Sequence, residues 1–434
     1  MPVYKVDYGA NRVEEGLFLT RRQSVGAGEA HDYEDRRGDF FQHVSTFPER
    51  STIREAMLET LDQALEMVFF ASFLIQDEGI TSKLIETAER LRGRVYVLTT
   101  LKKDDFAAAD DLGHEAEGAF REHLASVERL TKNGISVKAR RDCHAKFMVI
   151  DEKSALITSA NEVPTCFRRT ERRNGGRRPP NPENGLLFTN RLEVKLLANL
   201  FRAIWRKGAH YVFPLGGKTF NVSENSRAST SLQVHSPGPP AKEGQVLWTA
   251  PGQPGLRERI IGMLEGSREQ VRLSTWILKG MDEHQVGDAI RAAAGRGVQI
   301  DILARGMNYR GDLRAQCYDL SQKTDGSLNI LGDYCNHSKA LVVDSRQALV
   351  LTANLDAQHG LDSGVEVGYW SPAERVIESV DAFLDRVFNE AAFEFVANPT
   401  QSEVFEKYGG GRETSFSGDL QIRLELPGKG RGAA

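Results

Sequence analysis

The sequence predicts an α/β protein of two tandem sandwich repeats. Each repeat is expected to be a mixed sheet flanked by helices, and the two should pack as a pseudo-dimer. Three observations predict this. A short pattern occurs twice, as "CHAKFMVID" from Cys143 to Asp151 and "NHSKALVVD" from Asn336 to Asp344. Strand-like segments upstream of the two copies repeat at a constant offset of 203 residues. Helical spacing of apolar residues fills the intervals between them. With 434 residues, the chain is too long for one ordinary domain and suits two or three.

The elements follow in chain order. Residues 1–49 precede the repeat and carry nothing diagnostic. The first half is placed at residues 50–215. Its "VFFASFLI" from Val68 and "VYVLTTL" from Val95 have the β-branched and aromatic bulk of buried strands. "ITSKLIETAERL" between them has helical periodicity, as does "LEVKLLANLFRAIWRKG" from Leu192. Phe147–Ile150 make a further strand, and the cluster "TSAN" follows, ending at Asn161. Residues 216–244, rich in Ser, Pro and Gly, read as a linker. The second half, residues 245–397, repeats the plan. "VRLSTWIL" from Val271 and "VQIDILA" from Val298 are the strand counterparts, and "LTAN" ends at Asn354. "EHQVGDAIRAAAG" and "AERVIESVDAFLDRVFNEA" are the helical counterparts. Each half thus reads helix–strand–helix–strand–helix–strand–strand–helix. The glycine-rich tail, residues 398–434, reads as flexible.

Composition narrows the class. Apolar residues make up 40% and charged residues 27%, as in a packed soluble protein. The net charge of −4 means that contact with a polyanion must come from a local basic patch. The longest apolar run, Met67–Ile75, is too short for a bilayer span, which takes about 20 residues. The first residues contain acids and no long apolar core, so no leader is expected. Cys143, Cys166, Cys317 and Cys335 form no CxxC pair and read as reduced thiols. A cytoplasmic protein without a transmembrane segment is the expectation.

One His-x-Lys pattern is weak; two with the same offsets are strong. The shared positions are His144, Lys146, Asp151 and Asn161, and His337, Lys339, Asp344 and Asn354. A pseudo-twofold axis would gather both sets in one cleft. Such a cleft suits phosphate. Two ammonium groups neutralise the anion, while Asn161, Asn354, Ser159 and Thr352 hydrogen-bond its oxygens. The two histidines can divide nucleophilic and acid–base work through a covalent phosphohistidine. No metal and no cofactor is needed, because the lysines supply the charge.

These motifs resemble the phospholipase D superfamily, defined by HxKxxxxD and a downstream Gly-Ser-x-Asn-like element. Both copies keep His, Lys, Asp and Asn. They depart at Thr158 and Leu351 in place of Gly, and at Thr352 in place of Ser. The resemblance implies His144 as nucleophile and His337 as acid and base. Asp151 and Asp344 would tie down the motif. A downstream glutamate would orient each histidine: Glu183 in "NPENGLLF" within the first half and Glu366 in "SGVEVGYW" within the second. The retained Asp argues against the tyrosyl-DNA phosphodiesterase branch.

Substrate is read from an insertion. The segment after the first motif carries Arg168, Arg169, Arg172, Arg173, Arg177 and Arg178. Directly downstream of a catalytic strand, it should lie at the cleft mouth and meet a polyanion; otherwise it is a solvated loop. A nuclease acting on DNA or RNA is favoured. The alternatives are a cytosolic phospholipase D or phosphatidyltransferase, with the arginines on anionic phospholipid, and a non-catalytic nucleic-acid-binding module. Residues 1–49 and 398–434 are candidate segments for a regulatory protein partner. One chain holds both half-sites, so catalysis does not demand an oligomer.

Overall fold

The computed structural model describes residues 17–22, 34–101, 114–171, 176–216, 222–229, 242–282, 284–306, 311–321 and 327–397, with Leu232 and Thr324. In chain order the strands are β1 (Leu17–Arg21), β2 (Phe41–Thr46), β3 (Val68–Ala71), β4 (Val95–Thr99), β5 (Ser136–Ala139), β6 (Phe147–Ile150), β7 (Ser154–Thr158), β8 (Thr170–Glu171), β9 (Arg177–Arg178), β10 (Glu183–Phe188), β11 (Tyr211–Val212) and β12 (Ser223–Glu224). The second half continues with β13 (Gln245–Thr249), β14 (Gln270–Ser274), β15 (Leu278–Lys279), β16 (Gln299–Arg305), β17 (Leu328–Asp333), β18 (Ala340–Val343), β19 (Gln347–Leu351), β20 (Leu355–Asp356), β21 (Glu366–Ser371) and β22 (Phe393–Ala397).

Two nine-stranded mixed sheets result. The first runs β12-β11-β5-β4-β3-β6-β7-β10-β2 and the second β1-β22-β17-β16-β14-β18-β19-β21-β13. β3, β4 and β5 are parallel, as are β14, β16 and β17. Parallel strands are covered on both faces, which explains why β3 reads as an unbroken apolar run with every residue buried. The covering helices start on side-chain caps. Ser51 accepts from the Arg54 N–H for the helix Thr52–Gln63, and Asp77 from the Ile80 N–H for Glu78–Arg90. Asn190 caps Arg191–Ala203.

One core spans both halves. Leu186, Phe188, Val194 and Leu197 of the first half share a buried cluster with Val246, Trp248, Val367, Tyr369 and Val380 of the second. The Phe188 and Tyr369 rings stand 4.5 Å apart. β10 also touches β19, and β21 touches β7, so each half leans the same strand across the seam. This is the pseudo-dimer that the duplicated sequence predicts.

The motif aspartates act far from that seam. Asp151 ends β6 in the left-handed region, with φ 54°. Its carboxylate accepts the N–H groups of Leu65, Glu66 and Met67 at 2.7–2.9 Å. Asp344, with φ 53°, accepts those of Arg268, Glu269 and Gln270 at 2.8–2.9 Å. Each aspartate therefore staples its motif strand to the turn that launches β3 or β14.

The structure moves the expected boundaries. β2 pairs with β10 inside the first sheet, so that half begins before residue 50. Its counterpart β13 pairs with β21 in the same way. β1, expected outside the repeat, adds to β22 at the edge of the second sheet. The linker contributes β12 to the first sheet and buries Leu232 in the shared core. The simple eight-element plan also lacked β5, β10, β17 and β21, whose runs are short or polar at one end. Residues 398–434, expected to be flexible, lie outside the described residues, as does most of the N-terminal extension.

Replacing Asp151 or Asp344 by Ala leaves three backbone donors unpaired and should cost about 1–3 kcal/mol each in urea unfolding. Burial alone would raise the Asp344 carboxyl, but its backbone donors hold it below the ordinary value of 3.8. Its contribution is therefore present at neutral pH and lost as the pH falls below that value. The Asp344→Asn protein should consequently lose less stability than wild type on acidification, which pH-dependent unfolding would check.

Candidate active site

The first motif is pinned to the opposite half before it reaches its own strand. The His144 N–H donates to the Val365 carbonyl at 3.1 Å, and the Val365 N–H donates to Asp142 at 2.7 Å. The next residue, Glu366, opens β21 and takes the His144 Nδ1 at 2.7 Å on Oε1. Across the axis, the Lys339 N–H donates to Asn184 Oδ1 at 3.1 Å. Glu183, which opens β10, meets His337 Nδ1 at 2.6 Å. Each glutamate thus serves the histidine of the other half. This corrects the same-half pairing expected from the sequence. The cause is topological: β10 and β21 border the seam, and their first side chains face across it. With Nδ1 turned to a carboxylate, His144 Nε2 is left for substrate, while His337 Nε2 has Lys339 Nζ at 3.5 Å.

A second correction concerns Ser159 and Thr352, expected on phosphate. Ser159 Oγ donates to Glu183 Oε2 at 2.5 Å and accepts the Asn184 N–H at 3.0 Å. Thr352 Oγ1 donates to Glu366 Oε2 and accepts the Val367 N–H at 3.0 Å. A hydroxyl has one proton, and here each is committed to holding a glutamate.

Lys146 and Lys339 are both 0% exposed. Lys146 Nζ donates to the His144 carbonyl at 2.5 Å and Lys339 Nζ to the His337 carbonyl at 2.7 Å. Among the described residues neither lysine has a carboxylate at ion-pair distance. An anion placed between two buried ammonium groups without counterions would supply their missing counter-charge. The side chains of Asn161 and Asn354 are also nearly buried, and each Oδ1 lacks a partner.

The half-sites differ electrically. Burial would raise Glu366, but the His144 charge and hydrogen bond, with Lys146, hold it below the usual carboxylate range. Burial lifts Glu183 to about 7, against the pull of Lys339. Burial also lowers both histidines, and for His337 the Lys339 and Lys146 charges drive it further down. Lys339 falls to about 7 through burial, with Glu183 opposing.

Four neighbours escaped the sequence reading. Phe73 meets His144 edge-on at 4.8 Å between ring centroids, and Trp276 meets His337 likewise at 5.7 Å. They are 203 residues apart, the offset of the strand repeat, which was the signal available. Glu162 is buried beside Asn161, with Oε2 unpartnered, and burial raises its carboxyl well above the ordinary value. Leu355 takes its place in the second half. Cys166 is buried against Glu183, and Cys166, Glu183 and His337 offer donor atoms within 4.8 Å of one another. These three could ligate a metal, but the adjacent Lys339 and Lys146 charges oppose a divalent cation there.

The arginine segment is partly placed. Arg172 and Arg173 lie outside the described residues. Arg168, Arg169 and Arg177 are exposed, and Arg168 stands 3.9 Å from Asp77. Arg178, half-buried on β9, bonds Asn181 at 2.9 Å. Burial raises the Asp333 carboxyl, while charges that include Arg305 and Arg178 lower it, so the segment reaches the second half. No described helix is long and apolar enough to cross a membrane.

A family model described as cardiolipin synthase, phospholipase D-like domain, matches residues 57–205 and 260–388. A phosphatidylserine synthase from Haemophilus influenzae Rd KW20 has a similar structure, with a TM-score of 0.58 at 12% identity, covering 86% of this chain and 90% of that one. A polyphosphate kinase from Porphyromonas gingivalis reaches 0.50 at 16% identity, covering 80% of this chain and 50% of that one. The phospholipase D family member Nuc from Salmonella typhimurium covers 34% of this chain and 94% of its own at 15% identity, with a TM-score of 0.29. At these identities the first two likenesses are ones of fold. No curated protein matches the sequence.

The crossed pairing predicts which histidine answers to which acid. Glu366→Gln should shift the imidazole nitrogen resonances of His144 and lower its pKa, leaving those of His337 in place. The reverse response would restore same-half pairing. Anion binding should follow Lys339. Sulfate, whose charge is constant in this range, should raise the melting temperature more at about pH 6 than at about pH 8.5, because the Lys339 cation is lost as pH rises through about 7. Lys339→Met should flatten that difference.

Proposed function

The chain belongs to the phospholipase D superfamily, and from that membership we propose that it is a metal-independent phosphodiesterase cleaving DNA or RNA through a phosphohistidine. One observation carries the reaction: crossed Glu–His pairs bring two histidines and two unpaired buried lysines into a single site. His144 Nε2 attacks phosphorus, and the ester oxygen leaves with a proton from His337 Nε2. His337 then takes a proton from water, which displaces His144 and yields the phosphomonoester. The assignment follows the electrical difference. Glu366 is held as a carboxylate, suited to the cation that grows on His144 as it attacks. The Glu183 carboxyl, lifted to about 7 against His337 Nδ1, keeps a proton in that pair, which passes through His337 to the leaving oxygen. Lys146, Lys339 and the two asparagines bind the phosphoryl oxygens.

Nucleic acid is favoured by Arg168, Arg169, Arg177 and Arg178 beside the cleft, since guanidinium groups suit successive phosphates. The description of the family model gives phosphatidyl transfer a second place. Against it, the large apolar side chains exposed among the described residues are few: Leu65 and Leu215 in loops, Leu192 on the helix Arg191–Ala203 and Val396 on β22.

The test is one panel with excess chelator: single-stranded DNA, duplex DNA, RNA and phosphatidyl vesicles. Cleavage of nucleic acid should persist, and His144→Asn or His337→Asn should each reduce it by at least about 10²-fold. Turnover of lipid alone would overturn the nuclease reading. Loss of activity on chelation would overturn the metal-independent mechanism.

A further inference from the structure

The cleft has two aromatic walls that phosphate chemistry does not use. Phe73 and Trp276 each lie just beyond the C-terminal end of a parallel strand, β3 or β14, where open α/β sheets place their ligands. Phe73 carries the Lys146 ammonium at 5.6 Å from its ring centre. Trp276 is half-exposed like Phe73 but differs in being larger and in having an indole N–H that meets no acceptor among the described residues. The Arg305 guanidinium lies over its ring at 5.7 Å. Arg305 is itself fixed, with Nε on the Tyr334 carbonyl at 3.1 Å and its N–H on the Trp276 carbonyl at 3.2 Å. From His337 outward the order is acid–base group, aromatic ring, guanidinium.

That order matches one nucleotide step: a phosphate, a base and the next phosphate. We propose that Trp276, with Arg305, forms a subsite on the His337 side that stacks the base next to the scissile phosphate of a single-stranded nucleic acid. The proposal rests on the nuclease reading and gives it a strand preference. A paired base in a duplex has its faces occupied, so single strands should bind better. It also gives a direction. His337 protonates the leaving oxygen, so the stacked base belongs to the fragment that departs first. An acyl chain would gain nothing from the guanidinium group.

The test uses the full chain carrying His144→Asn, so that the strand stays intact, and a fluorescent thymidylate strand of about ten nucleotides. An abasic residue is moved through it one position at a time. The parent should lose on the order of 10-fold in affinity at one or two positions and little elsewhere. Trp276→Ala should weaken the intact strand by a similar factor and make those abasic positions indifferent, whereas Trp276→Phe should keep most of the parent's pattern. Near-equal affinity of Trp276→Ala and the parent, or an abasic effect that survives the substitution, overturns the subsite. So does loss of the pattern in Trp276→Phe. If the parent binds no strand while the wild-type chain turns over phosphatidylglycerol vesicles, the nuclease reading fails and the subsite with it.

Discussion

Two lysines buried without counterions constrain everything near the centre of this molecule. A buried ammonium group without a carboxylate partner is costly, and Lys146 and Lys339 sit close enough to push on the same histidine. The rest of the fold reads as the means of tolerating that arrangement. Each Nζ is given the carbonyl of its own motif histidine. Glu183 and Glu366 compensate from a distance, since they are among the groups that raise the lysine pKa values. The aspartates at the far ends of the motif strands hold the backbone that carries these charges. An anion between them would supply the counter-charge that the two glutamates give only from a distance.

Crossing the Glu–His pairs has a further physical effect. If each glutamate held the histidine of its own half, either half could be assembled alone. Because Glu366 holds His144 and Glu183 holds His337, neither histidine is oriented until the halves dock. The shared core of Phe188, Tyr369, Val194 and Val246 therefore belongs to the chemistry as well as to stability. A packing defect there should be felt first as misoriented imidazoles.

The duplicated motif was readable because it is covalent and local: a strand needs its apolar bulk, and the two copies keep their offsets. Asp151 and Asp344 follow from the same pattern. What could not be read is what the pseudo-twofold axis does. Offsets along the chain suggest that Glu366 belongs to His337, yet proximity is set by which strands border the seam. Ser159 and Thr352 were assigned to phosphate for the same reason, since composition shows a hydroxyl without showing what lies opposite it. β2 and β1 were missed because short edge strands carry little periodicity and gain their state from the sheet they join. Trp276 and Phe73 were within reach. They sit inside strand-like runs where aromatic residues look like core, and only their shared offset marks them.

The halves are alike in scaffold and unlike in lining, and the differences all favour one side for a long substrate. Glu162 lies near Lys146, where the second half has Leu355. Opposite it, Trp276 under the Arg305 guanidinium stands beside His337, where the first half has Phe73 beside His144. A strand entering this cleft therefore meets an indole with its guanidinium on the His337 flank and a smaller phenyl ring on the His144 flank. A symmetric site would bind a diester in either sense and waste half of its encounters. Here the polarity that separates nucleophile from acid also separates the two ends of the substrate.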